Sequence, residues 1–358
     1  MQDSAATENE TPSLPSLTIM IATGTPPRAL RNQGEAHMSA SRREFLAGLA
    51  AAGAWAGLPR AAHAGTNCPF RLSVINDEIS QDFDFACSVA AHDFGLQWIE
   101  LRGMWNKNIS DLDSTEVAKA REILLKYKLR VTDIASPVFK TDWPGAPQSK
   151  ESPRRDQFHA DFDFKQQDAL LLRCIELAKA FETDRIRCFD FWRLDDQKPY
   201  REAINNKLGE AARTCAKSNM ILLLENEMSC NTATGEEAAE TLKGVPEPNF
   251  MLNWDPGNAA TFPGNTPYPD GYNLLPKHRI GHCHSKDVVR KADGKWEWAP
   301  VGAGVVDWVG QFRAFERDGY HHAVSLETHW HGAGTPEAST RISMKGLKEA
   351  LAKAGTGC

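Results

Sequence analysis

Ile221-Leu-Leu-Leu-Glu225 is an apolar run that closes in a carboxylate, and three later segments repeat the design: Phe250-Met-Leu-Asn-Trp-Asp255, Arg279-Ile-Gly-His-Cys-His284 and Ala323-Val-Ser-Leu-Glu327. A parallel barrel needs such segments, because its active site is assembled from residues at the C-terminal ends of several strands. The four end residues, Glu225, Asp255, His284 and Glu327, make a mixed oxygen and nitrogen set suited to one divalent ion such as Mn²⁺, Co²⁺, Mg²⁺ or Zn²⁺. Their separations of about 30, 29 and 43 residues are close to the length of one strand-then-helix unit.

Outward from these segments, strand-like and helix-like stretches alternate eight times. Strands are expected at 71–75, 97–101, 129–134, 185–189, 221–225, 250–255, 279–284 and 323–327. Helices follow around 82–94, 114–127, 163–182, 200–219, 235–243, 272–277, 307–318 and 336–353. Eight such units predict an α/β protein of one domain, a (β/α)8 TIM barrel, because an open doubly wound sheet has about five or six strands and a Gly-rich phosphate loop after the first. No G-x-G-x-x-G occurs, and the first turn, Asn76-Asp77-Glu78-Ile79, is acidic, so no nucleotide cofactor is expected. Two long loops, 136–162 and 285–306, the second with Trp296 and Trp298, are placed to cover the barrel mouth.

Ahead of the barrel, Ser41-Arg42-Arg43-Glu44-Phe45-Leu46 has the form of a twin-arginine export signature. A weakly apolar stretch to Leu58 and a small-residue cleavage site, Ala62-His63-Ala64, follow it. The chain is therefore expected to divide into residues 1–37, a mis-assigned start or disordered extension before Met38; 38–64, a twin-arginine signal peptide; and 65–358, the barrel, working in the periplasm. No membrane span is expected after signal removal. With 41 Lys and Arg against 47 Asp and Glu, a net charge of −6 and no basic run, the chain lacks the footprint of a nucleic-acid partner. A small sugar-like molecule is the expected partner, and a homo-oligomer stays open. Of the eight cysteines, Cys87, Cys174 and Cys215 read as buried thiols, whereas Cys68 and Cys358 bracket the domain at points that a closed barrel brings to its N-terminal face, so a disulfide between them is predicted.

Five motifs, in order, make the chain resemble the xylose-isomerase-like TIM-barrel family of sugar and sugar-phosphate isomerases and epimerases. They are Leu224-Glu225-Asn226, Asn253-Trp254-Asp255-Pro256-Gly257-Asn258, His282-Cys283-His284-Ser285-Lys286-Asp287, Pro300-Val-Gly-Ala-Gly304 with Val306-Asp307-Trp308, and Ser325-Leu326-Glu327. The resemblance covers residues 70–355 and implies metal ligands at Glu225, Asp255, His284 and Glu327, with His284 preferred to His282 because the family uses the second His of its H-x-H. It also implies proton abstraction beside a carbonyl through an enediolate, with Glu225 and Glu327 acting from opposite sides of the substrate and Lys286 as a third catalytic candidate. Glu227, Asn258, His282, Glu100 and Arg102 are expected to bind substrate, with Glu78, Asp133 and Arg193 as further candidates for hydroxyl contacts. Glu227 stands where many relatives have His, which marks a different substrate.

Singly, each ligand has a plainer reading, since a carboxylate after a strand often caps the next helix and Asp255-Pro256-Gly257-Asn258 is a good turn. Jointly, in phase with the strands, the ligand reading prevails. The expected function is that of a divalent-metal-dependent isomerase or epimerase of a sugar or small hydroxy-carbonyl compound. The alternatives are a metal-dependent lyase or dehydratase on a keto-sugar or cyclic keto acid, and a non-catalytic exported carbohydrate-binding protein. The family's DNA-repair endonucleases use extra histidines at the third and fourth strands. Asp133-Ile134-Ala135-Ser136 and Cys188-Phe189-Asp190-Phe191 offer none.

Overall fold

A computed structural model describes residues 68–147 and 160–358, so the expected extension and signal peptide lie outside the described residues. Eight parallel strands form the centre: β1 (Arg71–Val74), β2 (Trp98–Leu101), β3 (Arg130–Val138), β4 (Arg185–Cys188), β5 (Ile221–Glu225), β6 (Phe250–Trp254), β7 (Ile280–Ser285) and β8 (Ala323–Leu326). Their order is β1-β8-β7-β6-β5-β4-β3-β2, and a bridge between Ile75 and Glu100 joins the two ends into a barrel. Helices α1 (Phe83–Ser88), α2 (Ser114–Tyr127), α3 (Gln167–Ala180), α4 (Arg201–Ala216), α5 (Gly235–Gly244), α6 (Pro256–Ala260), α7 (Trp308–Arg317) and α8 (Pro336–Ala354) follow the strands in turn. The short helical turn expected near 272–277 is Tyr272–Leu274, and α6 itself begins directly at the Asp255-Pro256 step.

Local chemistry explains where the helices begin. Asp113 and Glu116 accept each other's backbone N–H at 2.9 Å, and Thr234 with Glu237 makes the same reciprocal cap for α5. Thr335 caps α8, whose first residue is Pro336, where the missing N–H costs nothing.

Strand alternation sorts the barrel residues into two sets. Val74, Leu101, Leu222, Leu224, Leu252 and Leu326 pack in the apolar layer under the helices. The alternate positions Ser73, Glu100, Arg187, Asn253, His282 and Ser325 are buried as well, so the barrel's centre is polar where branched apolar residues are usual. A bulge at Gly281 helps to set this pattern: Leu252 pairs with Ile280 but Asn253 pairs with His282, which brings both histidines of β7 into line with the interior. A Cβ there would lie 2.9 Å from Leu223 Cδ2 and 3.1 Å from Met251 Cβ, so a larger residue would require these neighbours to shift.

The far end of the barrel is closed by packing and by a covalent link. Phe70, ahead of β1, meets Phe312, Phe315 and Tyr320 at ring-centroid distances of 6.1, 6.1 and 6.0 Å. Cys68 and Cys358 form the predicted disulfide, with Cα atoms 4.2 Å apart. The remaining six cysteines are buried thiols. No described helix is long and apolar enough to cross a membrane.

Candidate metal centre

At the C-terminal ends of β5 to β8 the four predicted ligands converge. Glu225, Asp255, His284 and Glu327 are all buried, and one ligand atom from each lies within 4.8 Å of the others. His284 Nδ1 is 3.3 Å from Glu225 Oε1, 3.8 Å from Asp255 Oδ2 and 3.2 Å from Glu327 Oε2. The other ring nitrogen, Nε2, is 2.9 Å from Glu100 Oε1 and 3.0 Å from Asn253 Nδ2, contacts that hold the ring with Nδ1 turned toward the cage. That nitrogen is buried with no hydrogen-bond partner and faces three carboxylate oxygens, none of which can donate. Positive charge is needed at this point, and a divalent ion satisfies the nitrogen and the three oxygens together. The donor set therefore fits a metal.

Asp255 shows how the two readings of a strand-end carboxylate combine. Its Oδ1 caps α6 by accepting from the Asn258 N–H at 2.8 Å, while Oδ2 points into the cage. Capping fixes the carboxylate; it does not use it up. Burial pushes the Asp255 carboxyl up to about 6 even with the Lys286 ammonium alongside.

The two glutamates share another design. Glu225 Oε2 accepts from Arg187 at 3.0 Å and its Oε1 faces the cage; Glu327 Oε1 accepts from Arg102 at 2.9 Å and its Oε2 faces the cage. Burial alone would raise both carboxyls. The charges of His284 and Arg187 beside Glu225, and of Lys286, His329 and His284 beside Glu327, hold both well below the usual carboxylate range. Each glutamate thus presents one ionised oxygen to the centre while an arginine grips the other.

Several residues expected on the substrate stand elsewhere. Glu100 and His282 are wholly buried beneath the cage: Glu100 holds His284, and His282 Nε2 lies 3.1 Å from Asp133 Oδ1 and 3.6 Å from Glu100 Oε2. They support the ligands from behind, because β2 and β7 end with these side chains one layer deeper than His284. Arg102 is occupied by Asp77, Glu78 and Glu327 at 2.9, 2.6 and 2.9 Å. Asn258 donates to Glu225 Oε1 at 3.2 Å and to the Asn226 carbonyl at 2.9 Å, so it orients a ligand. Arg193 pairs with Glu237 at 2.5 Å. Glu227 Oε2 is 3.7 Å from Lys140 Nζ, an ammonium that lies over the Phe189 and Trp192 rings.

Lys286 does reach the centre. Its ammonium is 2.8 Å from Asp255 Oδ2, 2.5 Å from Glu327 Oε2 and 4.0 Å from Glu225 Oε1. Above it, the loop expected at 285–306 contains a hairpin in which Asp287–Arg290 pairs with Trp296–Ala299. Trp298 on this hairpin lies 5.2 Å from the Lys286 ammonium and 5.0 Å from the His329 ring. Asp287 accepts from the backbone N–H groups of Val288, Gly302, Gly304 and Val306, which fastens the Pro300–Gly304 turn to the hairpin. Burial pushes the Asp287 carboxyl up to about 6 despite these bonds.

Arg187 was not singled out in the sequence, although a signal was there. In Arg185-Ile-Arg187-Cys the arginines alternate with apolar residues on a central strand, and an arginine on the inner face must meet a buried carboxylate. Trp298, noted in the sequence only as an aromatic of a long loop, lies on the second strand of the hairpin, and His329 sits in a loop, where periodicity is silent.

The match to a family model follows this geometry. The model of the xylose isomerase-like TIM barrel matches residues 89–350, and the chain belongs to that family. No curated protein matches it. Among solved structures it is similar to the probable 3-DHS dehydratase AsbF of Bacillus anthracis, 20% identical over 78% of this chain and 99% of that one, with a TM-score of 0.60. It is also similar to the IOLI protein with a binding zinc atom, 15% identical over 80% and 99%, TM-score 0.62, and to the D-allulose 3-epimerase of Methylomonas sp., 16% identical over 80% and 98%, TM-score 0.58. At such identities these three show a common fold.

Proposed function

We propose that the protein is a divalent-metal-dependent enzyme that moves a proton on the carbon next to a carbonyl, acting as an isomerase or epimerase of a sugar or small hydroxy-carbonyl compound. The observation that carries this reading is the paired glutamates, each gripped by an arginine on one oxygen and presenting the other to the same centre. The ion, held by Glu225, Asp255, His284 and Glu327, would polarise the carbonyl and steady negative charge. Glu225 and Glu327 come from β5 and β8, so a substrate between them meets a base on two sides. Arg187 and Arg102 keep these bases ionised and fixed in orientation. Lys286 is the ammonium within reach of Glu327, able to supply a proton or to face an oxygen that gains charge.

That same ammonium favours a second reading, a lyase or dehydratase, since a departing hydroxyl needs a proton and Lys286 is the adjacent donor. Incubation of keto and aldo sugars and cyclic keto acids with Mn²⁺, Co²⁺ or Mg²⁺ in D₂O separates the readings by NMR. Deuterium beside the carbonyl with the formula otherwise kept identifies the isomerase or epimerase, and loss of water identifies the lyase. Binding with no exchange in any mixture would leave a carbohydrate-binding protein. We place the working enzyme in the periplasm, on the Ser41-Arg42-Arg43 signature and on the Cys68–Cys358 disulfide, which suits an oxidising compartment. Fractionation of expressing cells, with N-terminal sequencing for a start at Gly65, tests that placement.

A further inference from the structure

The oxygens that the Lys286 ammonium touches are those of the cage itself. Asp255 Oδ2 and Glu327 Oε2 lie 2.8 and 2.5 Å from Nζ, and the same two atoms lie 3.8 and 3.2 Å from His284 Nδ1. An ammonium and a divalent ion therefore draw on the same lone pairs. Three buried carboxylates so close together repel one another and lose hydration, which is costly unless a cation is present. Among the described residues Lys286 is the lysine or arginine that reaches in among the cage-facing oxygens, because Arg187 and Arg102 grip the glutamates by their other oxygens.

The path of the lysine stem has been left open. A Cβ on Gly257 would stand 2.5 Å from Lys286 Cγ and 2.9 Å from the Lys286 carbonyl oxygen, so the glycine in the first turn of α6 makes room for the methylene chain. On the other side the ammonium faces the Trp298 ring at 5.2 Å, an aromatic surface that a cation can rest against. The stem is flexible and its charge is compact, which permits a swing between the two places.

We propose that Lys286 is the cage's own counter-cation, and that a divalent ion displaces its ammonium from Asp255 and Glu327 toward Trp298, so that Lys286 meets the substrate only in the metal-loaded protein. This rests on the metal reading above. The lysine keeps the metal-free protein folded with its carboxylates compensated, and it weakens metal binding by the work of its own expulsion. Trp298 then holds the expelled cation at the mouth.

The test is a calorimetric titration of the EDTA-stripped full chain with Mn²⁺, comparing the wild type with Lys286→Met, which keeps an apolar stem of similar length and removes the charge. The variant is expected to bind Mn²⁺ at least tenfold more tightly. Equal or weaker binding by the variant overturns the proposal. A wild type that binds no Mn²⁺ overturns the metal reading instead, so the two failures are distinct. Should the variant not fold without metal, reductive methylation of the wild type with peptide mapping decides: Lys286 is expected to be modified faster in Mn²⁺ than in EDTA, and equal rates overturn the proposal.

Discussion

The two ends of this barrel are built on opposite principles. At the C-terminal mouth, Glu225, Asp255, His284, Glu327, Lys286, Arg187 and Arg102 are buried together, and buried atoms such as His284 Nδ1 lack a hydrogen-bond partner. At the N-terminal end Phe70, Phe312, Phe315 and Tyr320 pack against one another and the Cys68–Cys358 bond ties the chain's two ends. The second end is held by apolar packing and a covalent bond. The first needs a cation, so stability and chemistry are assigned to different faces, as barrel enzymes generally arrange them.

The sharpest way to break this division is at the glutamates. Metal-saturated Glu225→Gln and Glu327→Gln variants are expected to lose about 10²–10⁴-fold in kcat, because an amide oxygen can still ligate but cannot take a proton. Assays on whichever substrate the D₂O screen identifies check this. Near-native turnover in both would leave the proton to another group, Lys286 or Glu227.

At the other end, Phe312→Ala or Phe315→Ala should cost about 3–5 kcal/mol of stability through lost burial and a residual cavity. Turnover per folded molecule should stay unchanged. A denaturant titration run beside the assay tests the pair of statements, and a matching fall in kcat/KM would show that the two ends are coupled.

Opening the disulfide with Cys68→Ser is expected to cost about 2–5 kcal/mol, since the closed loop spans 290 residues and the released unfolded chain gains entropy. Metal affinity, read by calorimetry, should not move. Reduction of the wild type with dithiothreitol should lower its unfolding free energy by a similar amount.

The smallest expected effect is a pH dependence contributed from the N-terminal end. Burial, with the Arg185 guanidinium 3.2 Å from Nδ1, pushes His322 down to about 3. A base whose folded pKa is depressed contributes stability that is present above its unfolded value and lost as pH falls through the window from about 6.5 toward 3. For this partly exposed ring the loss should be about 1 kcal/mol at pH 5 after allowance for solvent screening. His322→Gln should flatten the melting-temperature profile between pH 7 and 5; an unchanged slope would place the titration elsewhere.

Much of this could be read from the chain because barrel ligands advertise themselves locally. A short apolar run ending in Glu, Asp or His states both where a strand stops and what it presents, and four such runs in register converge as the repeat requires. The disulfide was legible for a topological reason: a closed ring of strand–helix units returns its last helix to the side from which its first strand left. The depth of Glu100 and His282 was not legible, since depth along a strand depends on bulges such as the one at Gly281, and a one-residue slip changes which side chains share a layer.

By itself, then, the sequence determined the number of units and the strand ends, which follow from periodicity along one chain, and with them the four residues that converge at the mouth. Only the tertiary structure decided which charges pair. Arg187 and Arg102 find Glu225 and Glu327 across 38 and 225 residues, and Lys286 finds Glu327 across 41. Such pairings arise because closure of the barrel excludes water from the mouth, and a buried charge must then be matched by whichever partner the fold has brought within reach.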